Sequence, residues 1–233
     1  MLIAIVMENL LSVIKVKVGK GLYQSDPSAS KLGQKIVSNA IDMIAELGFE
    51  KFTFKKLGEQ IGSPEASVYR YFKSKQQLLS YLVSWYWGWM EYRLMFEITN
   101  VTSAQARLEK SIALITSDVK ERILIDGIDT KKLHQIIIHE SIKSYLIKDV
   151  DLSNKEGCYM NYKQFVARMA EIVKEINPEY KYPQMLLTTI IEGAHLQVFF
   201  GEHLPRLTNK QKSPHYITEF YTGIALKSIK LRK

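Results

Sequence analysis

The sequence has one cysteine and lacks any apolar run long enough to span a membrane as a helix. Because Cys158 has no second cysteine to pair with, we expect a reducing compartment and a cytoplasmic protein. A membrane helix needs about 18 uninterrupted apolar residues, and no window offers them. The apolar start MLIAIVMENLL is interrupted by Glu8 and has no small-residue cleavage site, which argues against an export signal. Met7 is an alternative start.

Motifs that mark enzymes and metal sites are also missing. The sequence has no phosphate-binding glycine loop and no nucleophile elbow. His134 and His139 are off the one-turn spacing of a helical metal pair, and His139-Glu140 lacks the second histidine of a HExxH motif. Cys158 has no histidine near it in sequence to activate its thiol. The sequence therefore predicts no catalytic residues, no metal site and no cofactor.

The composition is that of a folded, basic protein. Its 233 residues exceed one typical domain and predict two. Apolar residues make up 46% of the chain and charged residues 24%, a balance that supports a globular core. A net charge of +8 and a pI near 9.3 favour an anionic partner, either nucleic acid or a membrane surface. The position of the basic residues has to decide between these two.

The segment VIKVKVGKG alternates apolar residues with lysines before a Gly-Lys-Gly turn signal. This pattern predicts a short strand or an extended arm within an N-terminal extension, residues 1–27. Lys15, Lys17 and Lys20 would let an arm reach a DNA minor groove. The alternative is a strand that packs on its own domain.

From residue 28 onward the periodicity is helical nearly to the end, so we predict an all-α protein. The first helix ends at Gly48, and Thr53 caps a short second helix that continues through Ile61 until Gly62 breaks it. The apolar positions of the first helix recur at helical spacing and are Ile36, Val37, Ala40, Ile41, Ile44 and Leu47.

A third helix begins almost at once, which predicts a helix-turn-helix. Ser63 followed by Pro64 reads as an N-cap and a first helical residue. Ser74 with Gln77 three residues later predicts a capping box for a fourth helix.

The third helix has an inner and an outer face. Val68 and Phe72 share the face that packs inward, because they are one turn apart. The remaining side chains suit a DNA major groove, where arginine reads guanine and an alanine methyl contacts thymine. They are Ala66, Ser67, Tyr69 and Arg70. The alternative is a purely structural corner whose basic residues form a solvated face.

Charge supports a nucleic-acid partner at this corner. Residues 51–75 carry more basic than acidic side chains, and these would meet phosphates. The basic residues are Lys51, Lys55, Lys56, Arg70, Lys73 and Lys75, against Glu59 and Glu65.

Residues 32–79 resemble the DNA-binding domain of TetR-type transcriptional repressors. The resemblance rests on GFEKFTFKKLGEQIG after the first helix and on the closing SVYRYFKSKQQLL. It covers about a fifth of the chain and includes a specific spacing of Gly48, Phe49, Thr53, Gly62, Tyr69, Tyr71, Phe72 and Lys75.

Two positions depart from the family pattern. Pro64 stands where a capping serine is usual, so we expect Ser63 to take over the cap. Gly58 replaces a common alanine at a cost of about 1 kcal/mol in helix propensity, which close helix packing would explain.

The resemblance also implies roles for individual residues. Thr53 and Tyr71 would bind phosphates, with Lys75 near them. Glu65, Ala66, Ser67, Tyr69 and Arg70 would form the groove-facing surface. Glu65 would accept from cytosine N4 or exclude other bases, because phosphates repel a carboxylate.

The predicted domains are the helix-turn-helix at residues 28–74 and an all-helical second domain at residues 75–233. The fourth helix runs from Lys75 to about Asn100 and is buried on much of its surface. Further helical patterns cover 104–124, 130–148, 156–176, 183–203 and 214–231.

In the resembling family the second domain binds a small-molecule effector and dimerises through its last two helices. Two apolar stripes here would form a four-helix dimer interface, unless they are intrachain core. They carry Ile190, Ile191, Ala194 and Val198, then Ile217, Phe220, Tyr221 and Ile224. The candidate effector residues, any of which can instead be core, are Trp89, Tyr92, Phe96, Tyr159, Tyr162, Phe165, His195 and Phe199.

The sequence therefore predicts a ligand-responsive repressor that binds a palindromic DNA operator as a homodimer and does not bind membranes. A rival hypothesis is a helical dimer with a basic face for a membrane or another protein. The Trp-rich stretch SWYWGWMEY and the basic end KSIKLRK support that rival.

Overall fold

The computed structural model describes residues 15–117, 119 and 123–230. Met7 and the apolar start lie outside the described residues. The described residues form ten α-helices and one two-stranded antiparallel hairpin, which confirms the prediction of an all-helical protein. The helices are α1 (Lys31–Leu47), α2 (Phe54–Ile61), α3 (Glu65–Tyr69), α4 (Lys75–Ile98), α5 (Ala104–Thr116), α6 (Thr130–Glu140), α7 (Val150–Lys155), α8 (Met160–Ile176), α9 (Pro183–His203) and α10 (Tyr216–Ile229). The strands are β1 (Leu124–Ile125) and β2 (Ile128–Asp129).

The chain divides into two compact units. The first contains the described residues up to Gly88 and from Val119 to Asn161, and the second contains the remainder. This division differs from the predicted boundary, which assigned everything after residue 74 to the second domain. The difference arises because α6 packs on α1, with Ile136 and Ile137 buried and Lys132 paired to Asp42.

The ends of α1 and α2 are set as the sequence predicts. Gly48 ends α1 with a φ of 78°, which an L side chain rarely adopts. The Thr53 hydroxyl caps α2 by accepting from the Lys56 N–H at 3.2 Å. Gly62 ends α2 in the left-handed conformation.

The predicted cap of α3 is wrong. Pro64 occupies the N-cap position in an extended conformation, and no side chain caps the helix. The carbonyl oxygen of Ser63 instead lies so close to α2 that a Cβ on Gly58 would be 2.7 Å from it. Close packing therefore explains the glycine at position 58, as predicted.

The capping box of α4 forms with one difference. The Ser74 hydroxyl accepts from the Gln77 N–H at 3.2 Å. The Gln77 side chain returns to the N–H of Lys73 at 2.7 Å, one residue before the cap.

The N-terminal segment is an irregular, packed segment, and the predicted strand is wrong for its described part. Residues 15–19 are not in a strand. The Lys17 carbonyl accepts from the Asn161 amide at 2.9 Å. Val16 lies where a Cβ on Gly88 would be only 2.5 Å from its Cγ1. The segment from Lys15 to Leu22 is thus held on the first unit and does not extend away as an arm.

Several predicted helices are longer than the observed ones. Residues 117, 119, 123–124 and 145–148 are not in α-helices. Helix α8 begins at Met160 because Gly157, with a φ of 80°, separates it from α7. The hairpin was not predicted. The pattern at 183–203 corresponds to α9 in full.

The Trp-rich stretch of α4 lies in the core. Trp85, Trp87 and Trp89 are all almost completely buried. The prediction of an interfacial aromatic cluster is therefore wrong, which removes the main support for the rival membrane-binding hypothesis. Among the described helices, none is both long and apolar enough to cross a bilayer.

The second unit contains the end of α4 together with α5, α8 from Tyr162 onward, α9 and α10. Its core includes Phe165 and Met169 of α8. Helices α9 and α10 approach closely, since a Cβ on Gly193 would be 2.3 Å from the Tyr221 hydroxyl. The hydroxyl groups of Thr116 and Thr218 are hydrogen-bonded at 2.6 Å and join α5 to α10.

Candidate nucleic-acid interface

Helix α3 presents the outer face that the sequence predicts. Val68 and Phe72 are fully buried. Ala66 and Arg70 are exposed, and Glu65 and Ser67 are half-buried. Because the helix has only one and a half turns, its orientation depends on the packing of its inner face against α2.

Tyr69 is both exposed and anchored. Its side chain is 50% exposed, yet its ring packs edge-to-face on Phe54 with the centroids 5.1 Å apart. This arrangement limits the rotation of the ring, while half of the side chain stays accessible to a ligand. A phenol held in this way can donate to a phosphate or a base without first losing much side-chain entropy.

The Thr53 hydroxyl can cap α2 and still donate a hydrogen bond to a phosphate. Its hydroxyl oxygen accepts the capping bond from Lys56, and the residue is exposed. A hydroxyl has one donor in addition to its acceptor lone pairs, so the O–H group remains able to donate to a phosphate. The cap and the predicted phosphate contact are therefore compatible.

Tyr71, the second predicted phosphate ligand, is largely buried. Its hydroxyl is 2.8 Å from the Ser30 hydroxyl, which is the N-cap of α1. The Tyr71 N–H and carbonyl are also used, by Val68 and Gln24. A phosphate contact by this tyrosine stays a prediction, and any such contact would be made at the start of α1.

Lys75, which was predicted to lie near the phosphates, uses its ammonium to bind backbone carbonyl groups. Its Nζ donates to the carbonyl oxygens of Phe49, Glu50 and Phe52 at 3.1, 3.2 and 3.5 Å. It also lies 4.8 Å from the centroid of the Phe49 ring. An ammonium has three donors, so these three acceptors occupy all of them. Lys75 thus fixes the turn between α1 and α2, and sequence reasoning missed this role because the acceptors are more than 20 residues away.

Other lysines remain exposed for phosphates. Lys51, Lys55 and Lys73 are exposed on the helix-turn-helix, as is Lys56, whose Nζ donates to the Lys51 carbonyl at 3.0 Å. Lys35 has a different task, since its ammonium donates to the Ile61 carbonyl at the end of α2 at 2.8 Å.

The predicted effector residues are buried, exposed or half-buried. Trp89, Phe165 and His195 are buried, and burial lowers the pKa of His195 to about 4, so its imidazole is neutral near pH 7. Tyr92 and Phe96, 38% and 39% exposed, lie one turn apart on α4.

The remaining three are half-buried. The Tyr162 hydroxyl donates to the Glu192 carboxylate at 2.9 Å, and Phe199 packs on His203 with the rings 4.7 Å apart. Tyr159 belongs to the first unit, where its hydroxyl donates to the Ser144 carbonyl at 3.0 Å.

The apolar stripes of the last two helices divide between core and surface. Ile190, Ile191, Ala194, Ile217 and Tyr221 are buried within the second unit, so the intrachain reading is correct for these five. Phe220 and Ile224, one turn apart on α10, are exposed, and so is Leu196 on α9.

Comparison with known proteins identifies the helix-turn-helix. Residues 36–82 match the sequence profile of the family described as bacterial regulatory proteins, TetR family. No curated protein matches the chain.

Solved structures share the fold over most of the chain. A TetR-family regulatory protein from Rhodococcus RHA1 is 13% identical, with a TM-score of 0.56, over 90% of this chain and 100% of that one. The fatty acid degradation regulator FadR from Bacillus halodurans is 16% identical, with a TM-score of 0.56, over 82% and 93%. AibR, in complex with isovaleryl coenzyme A and operator DNA, is 13% identical, with a TM-score of 0.53, over 82% and 97%.

Proposed function

We propose that this chain, which belongs to the TetR family of bacterial transcriptional regulators, is a repressor that binds a palindromic operator as a dimer and releases it when a small molecule binds. The chain is a DNA-binding regulator and not an enzyme. The observation that carries the proposal is the surface formed by α3 and the turn that follows it. Val68 and Phe72 are buried there, and Ala66, Tyr69 and Arg70 are exposed.

Base recognition in this proposal follows from the chemistry of the exposed face. The Arg70 guanidinium forks to guanine O6 and N7, and the Ala66 methyl contacts a thymine methyl. Glu65 accepts from cytosine N4 and repels other edges. Thr53, Lys51, Lys55 and Lys73 contact phosphates, which set the register without reading sequence.

The effector is an apolar or aromatic small molecule bound by the second unit. Support comes from its aromatic residues and from relatives, since AibR has been solved with both an acyl coenzyme A and operator DNA. Neutral His195 offers such a ligand a hydrogen-bonding imidazole without the cost of a buried charge. Candidate contacts within the second unit are Trp89, Tyr92, Phe96, Tyr162, Phe165, His195 and Phe199.

Helix α4 would carry the signal. It begins at Lys75, whose ammonium fixes the turn of the helix-turn-helix, and continues without a break to Ile98 in the second unit. Because an operator fixes the spacing of its half-sites, a small displacement of α4 would lower DNA affinity without touching a contact residue. A coupling free energy of about 1–3 kcal/mol between two sites is typical of allosteric proteins.

The proposed dimer interface uses the last two helices. Phe220, at 59% exposed, and Ile224 form an apolar pair on α10, and Leu196 adds an apolar side chain on α9. Apolar side chains at the centre of a homodimer interface are typical, and a twofold axis would match a palindromic operator.

The test is a footprint of the purified protein over the intergenic DNA beside its own gene. A protected near-palindrome with half-site centres about one to two helical turns apart supports the proposal. Retention that is equal for this DNA and for a scrambled duplex, with no protected sequence, would contradict it. Sedimentation of the Phe220→Glu variant, which we expect to be monomeric and to lose the footprint, tests the dimer separately.

A further inference from the structure

A cavity of about 270 Å³ lies within the first unit. Its wall is formed by five separate segments: the N-terminal segment, the turn before α1, α1, α4 and the β1–β2 hairpin. The volume is just below the range of about 300–1,000 Å³ that is common for small-molecule sites. The cavity therefore suits a ligand of modest size.

The floor of the cavity is apolar and aromatic. Val37 of α1, Tyr81 and Trp85 of α4 and Ile128 of the hairpin line it, and each is at most 4% exposed. Aromatic and aliphatic walls of this kind bind an apolar group by excluding water from it.

Two opposite charges line the same cavity and do not form an ion pair with each other. Lys15 of the N-terminal segment and Asp126 of the hairpin both contribute to the wall, and both are exposed. In the part of the chain that the structure describes, neither residue forms an ion pair, with the other or with a third residue. A ligand with a negative and a positive end can satisfy both at once.

The hairpin fixes the position of the carboxylate. Asp126 has a φ of 50° and precedes Gly127, with a φ of 80°, in the turn that joins the two strands. A turn with two left-handed residues is the tight connection that suits a two-stranded hairpin. The turn thus fixes the backbone that carries the Asp126 carboxylate, which lines the cavity together with Tyr81 and Trp85 of α4.

The carboxylates of Asp26 and Asp126 also act on the Tyr81 phenol. Burial raises the pKa of the Tyr81 phenol, and the carboxylates of Asp26 and Asp126 raise it further. The Asp26 carboxylate is held by the N–H and the hydroxyl of Ser28 at 2.8 and 2.7 Å. The Asp126 carboxylate therefore favours a cationic group beside it, whereas the Lys15 ammonium favours an anionic one.

We propose that this cavity binds a small zwitterion of the amino-acid class, with its carboxylate at Lys15, its ammonium at Asp126 and an apolar side chain against Tyr81 and Trp85. A ligand with only one charge would leave the other protein charge to water and would gain less. The site is separate from the effector site proposed for the second unit, because every lining residue belongs to the first unit.

The first experiment compares ligands that carry one or both charges. Calorimetric titration of the full chain uses L-phenylalanine, L-leucine, phenethylamine, which lacks the carboxylate, and 3-phenylpropionate, which lacks the amine. We expect L-phenylalanine to bind about tenfold or more tightly than either singly charged analogue, since each lost contact is a charge-assisted hydrogen bond.

The second experiment assigns each end of the ligand to a residue. Lys15→Gln should lower the affinity for L-phenylalanine by about tenfold. The affinity for phenethylamine should be unchanged, because that ligand has no carboxylate to contact Lys15. Asp126→Asn should lower affinity for L-phenylalanine similarly and leave 3-phenylpropionate unchanged. Asparagine tolerates a positive φ, so this variant should keep the hairpin, and thermal melts of both variants check the fold.

Matched controls separate the site from general charge effects. Lys20→Gln and Asp151→Asn remove exposed charges of the first unit that do not line the cavity and should leave all affinities unchanged. Three results would overturn the proposal: no amino acid binding with a Kd below about 1 mM, phenethylamine binding as tightly as L-phenylalanine, or Lys15→Gln and Asp126→Asn behaving like the controls.

Discussion

Glu140, the last residue of α6, accepts a hydrogen bond from the backbone N–H of Phe49 at 3.1 Å. Its carboxylate also holds the Lys143 ammonium at 2.8 Å, and Lys143 reaches Glu50 at 2.9 Å. These contacts lower the pKa of Glu50, chiefly through its hydrogen bond to Lys143, and raise that of Lys143. The end of α6 is therefore fastened to the turn that precedes α2.

Substitution of Glu140 tests how much this junction stabilises the first unit. Glu140→Ala leaves the Phe49 N–H without its partner and should lower the free energy of unfolding by about 1–3 kcal/mol. Glu140→Gln keeps an oxygen acceptor and should lose less. Urea unfolding measures both, and Glu46→Ala, which removes an exposed carboxylate from α1, is the control and should have little effect. Equal losses for alanine and glutamine would show that only the charge of Glu140 matters.

The junction also shows which parts of the fold sequence reasoning can reach. Local signals predicted the ends of α1 and α2, because Gly48, Thr53 and Gly62 act through their own backbone or a neighbour's. The packing of α6 on α1 could not be predicted, since an apolar stripe indicates that a helix is buried and does not name its partner.

The hairpin and Lys75 lie on opposite sides of this limit. Asp126-Gly127 between Ile125 and Ile128 is a hairpin signal that the sequence contains, so the hairpin could have been predicted from it. The three carbonyl acceptors of Lys75 could not have been predicted, because they come from a turn that lies near α4 only in the folded chain.

Arg70 should determine sequence preference and not overall affinity. Arg70→Ala removes the proposed fork to guanine and should relax preference at one base position, at a cost of about 1–3 kcal/mol on the operator. Competition binding with the operator and with single-base variants measures this change. Lys55→Ala is the matched control, because an exposed lysine that contacts only phosphate should weaken all duplexes alike. If Arg70→Ala also weakened all duplexes alike, Arg70 would be a phosphate contact.

Lys75 and Lys73 should differ although they are two residues apart. The Lys75 ammonium is occupied by three carbonyls, whereas the side chain of Lys73 is exposed. Lys75→Ala should therefore lower the free energy of unfolding by about 1–3 kcal/mol and leave the salt dependence of DNA binding unchanged. Lys73→Ala should leave the free energy of unfolding nearly unchanged and lower the slope of the salt dependence of DNA binding by about one. A lower salt slope for Lys75→Ala would restore its predicted role as a phosphate contact.

Substitutions of Tyr162 and Tyr92 test the proposed effector site at a hydrogen-bonded ring and at a partly exposed ring. Tyr162→Ala removes a ring whose hydroxyl is bonded to Glu192, and Tyr92→Ala removes a partly exposed ring. Both should leave effector-free DNA affinity nearly unchanged and reduce release by a ligand found in a thermal-shift screen of apolar and aromatic metabolites. DNA titrations with and without that ligand measure the effect. Undiminished release in both variants would place the effector elsewhere.

His195 should make the second unit sensitive to acid. Its folded pKa of about 4 is below the ordinary value of 6.5, because burial disfavours the charged imidazolium. Between these two values the unfolded chain binds the proton and the folded chain does not, so stability is full above pH 6.5 and falls as the pH drops toward 4. The difference corresponds to about 3 kcal/mol, at about 1.4 kcal/mol per pKa unit.

Substitution of His195 isolates this contribution from the carboxylates that also titrate in acid. Urea unfolding at a series of pH values between neutrality and pH 5 should show a smaller loss of stability in His195→Gln than in the unmodified chain. His215→Gln, which replaces an exposed histidine, should retain the full loss. A His195→Gln profile parallel to that of His215→Gln would mean that His195 is protonated in the folded chain at pH 5, and that water or a charge reaches it inside the second unit.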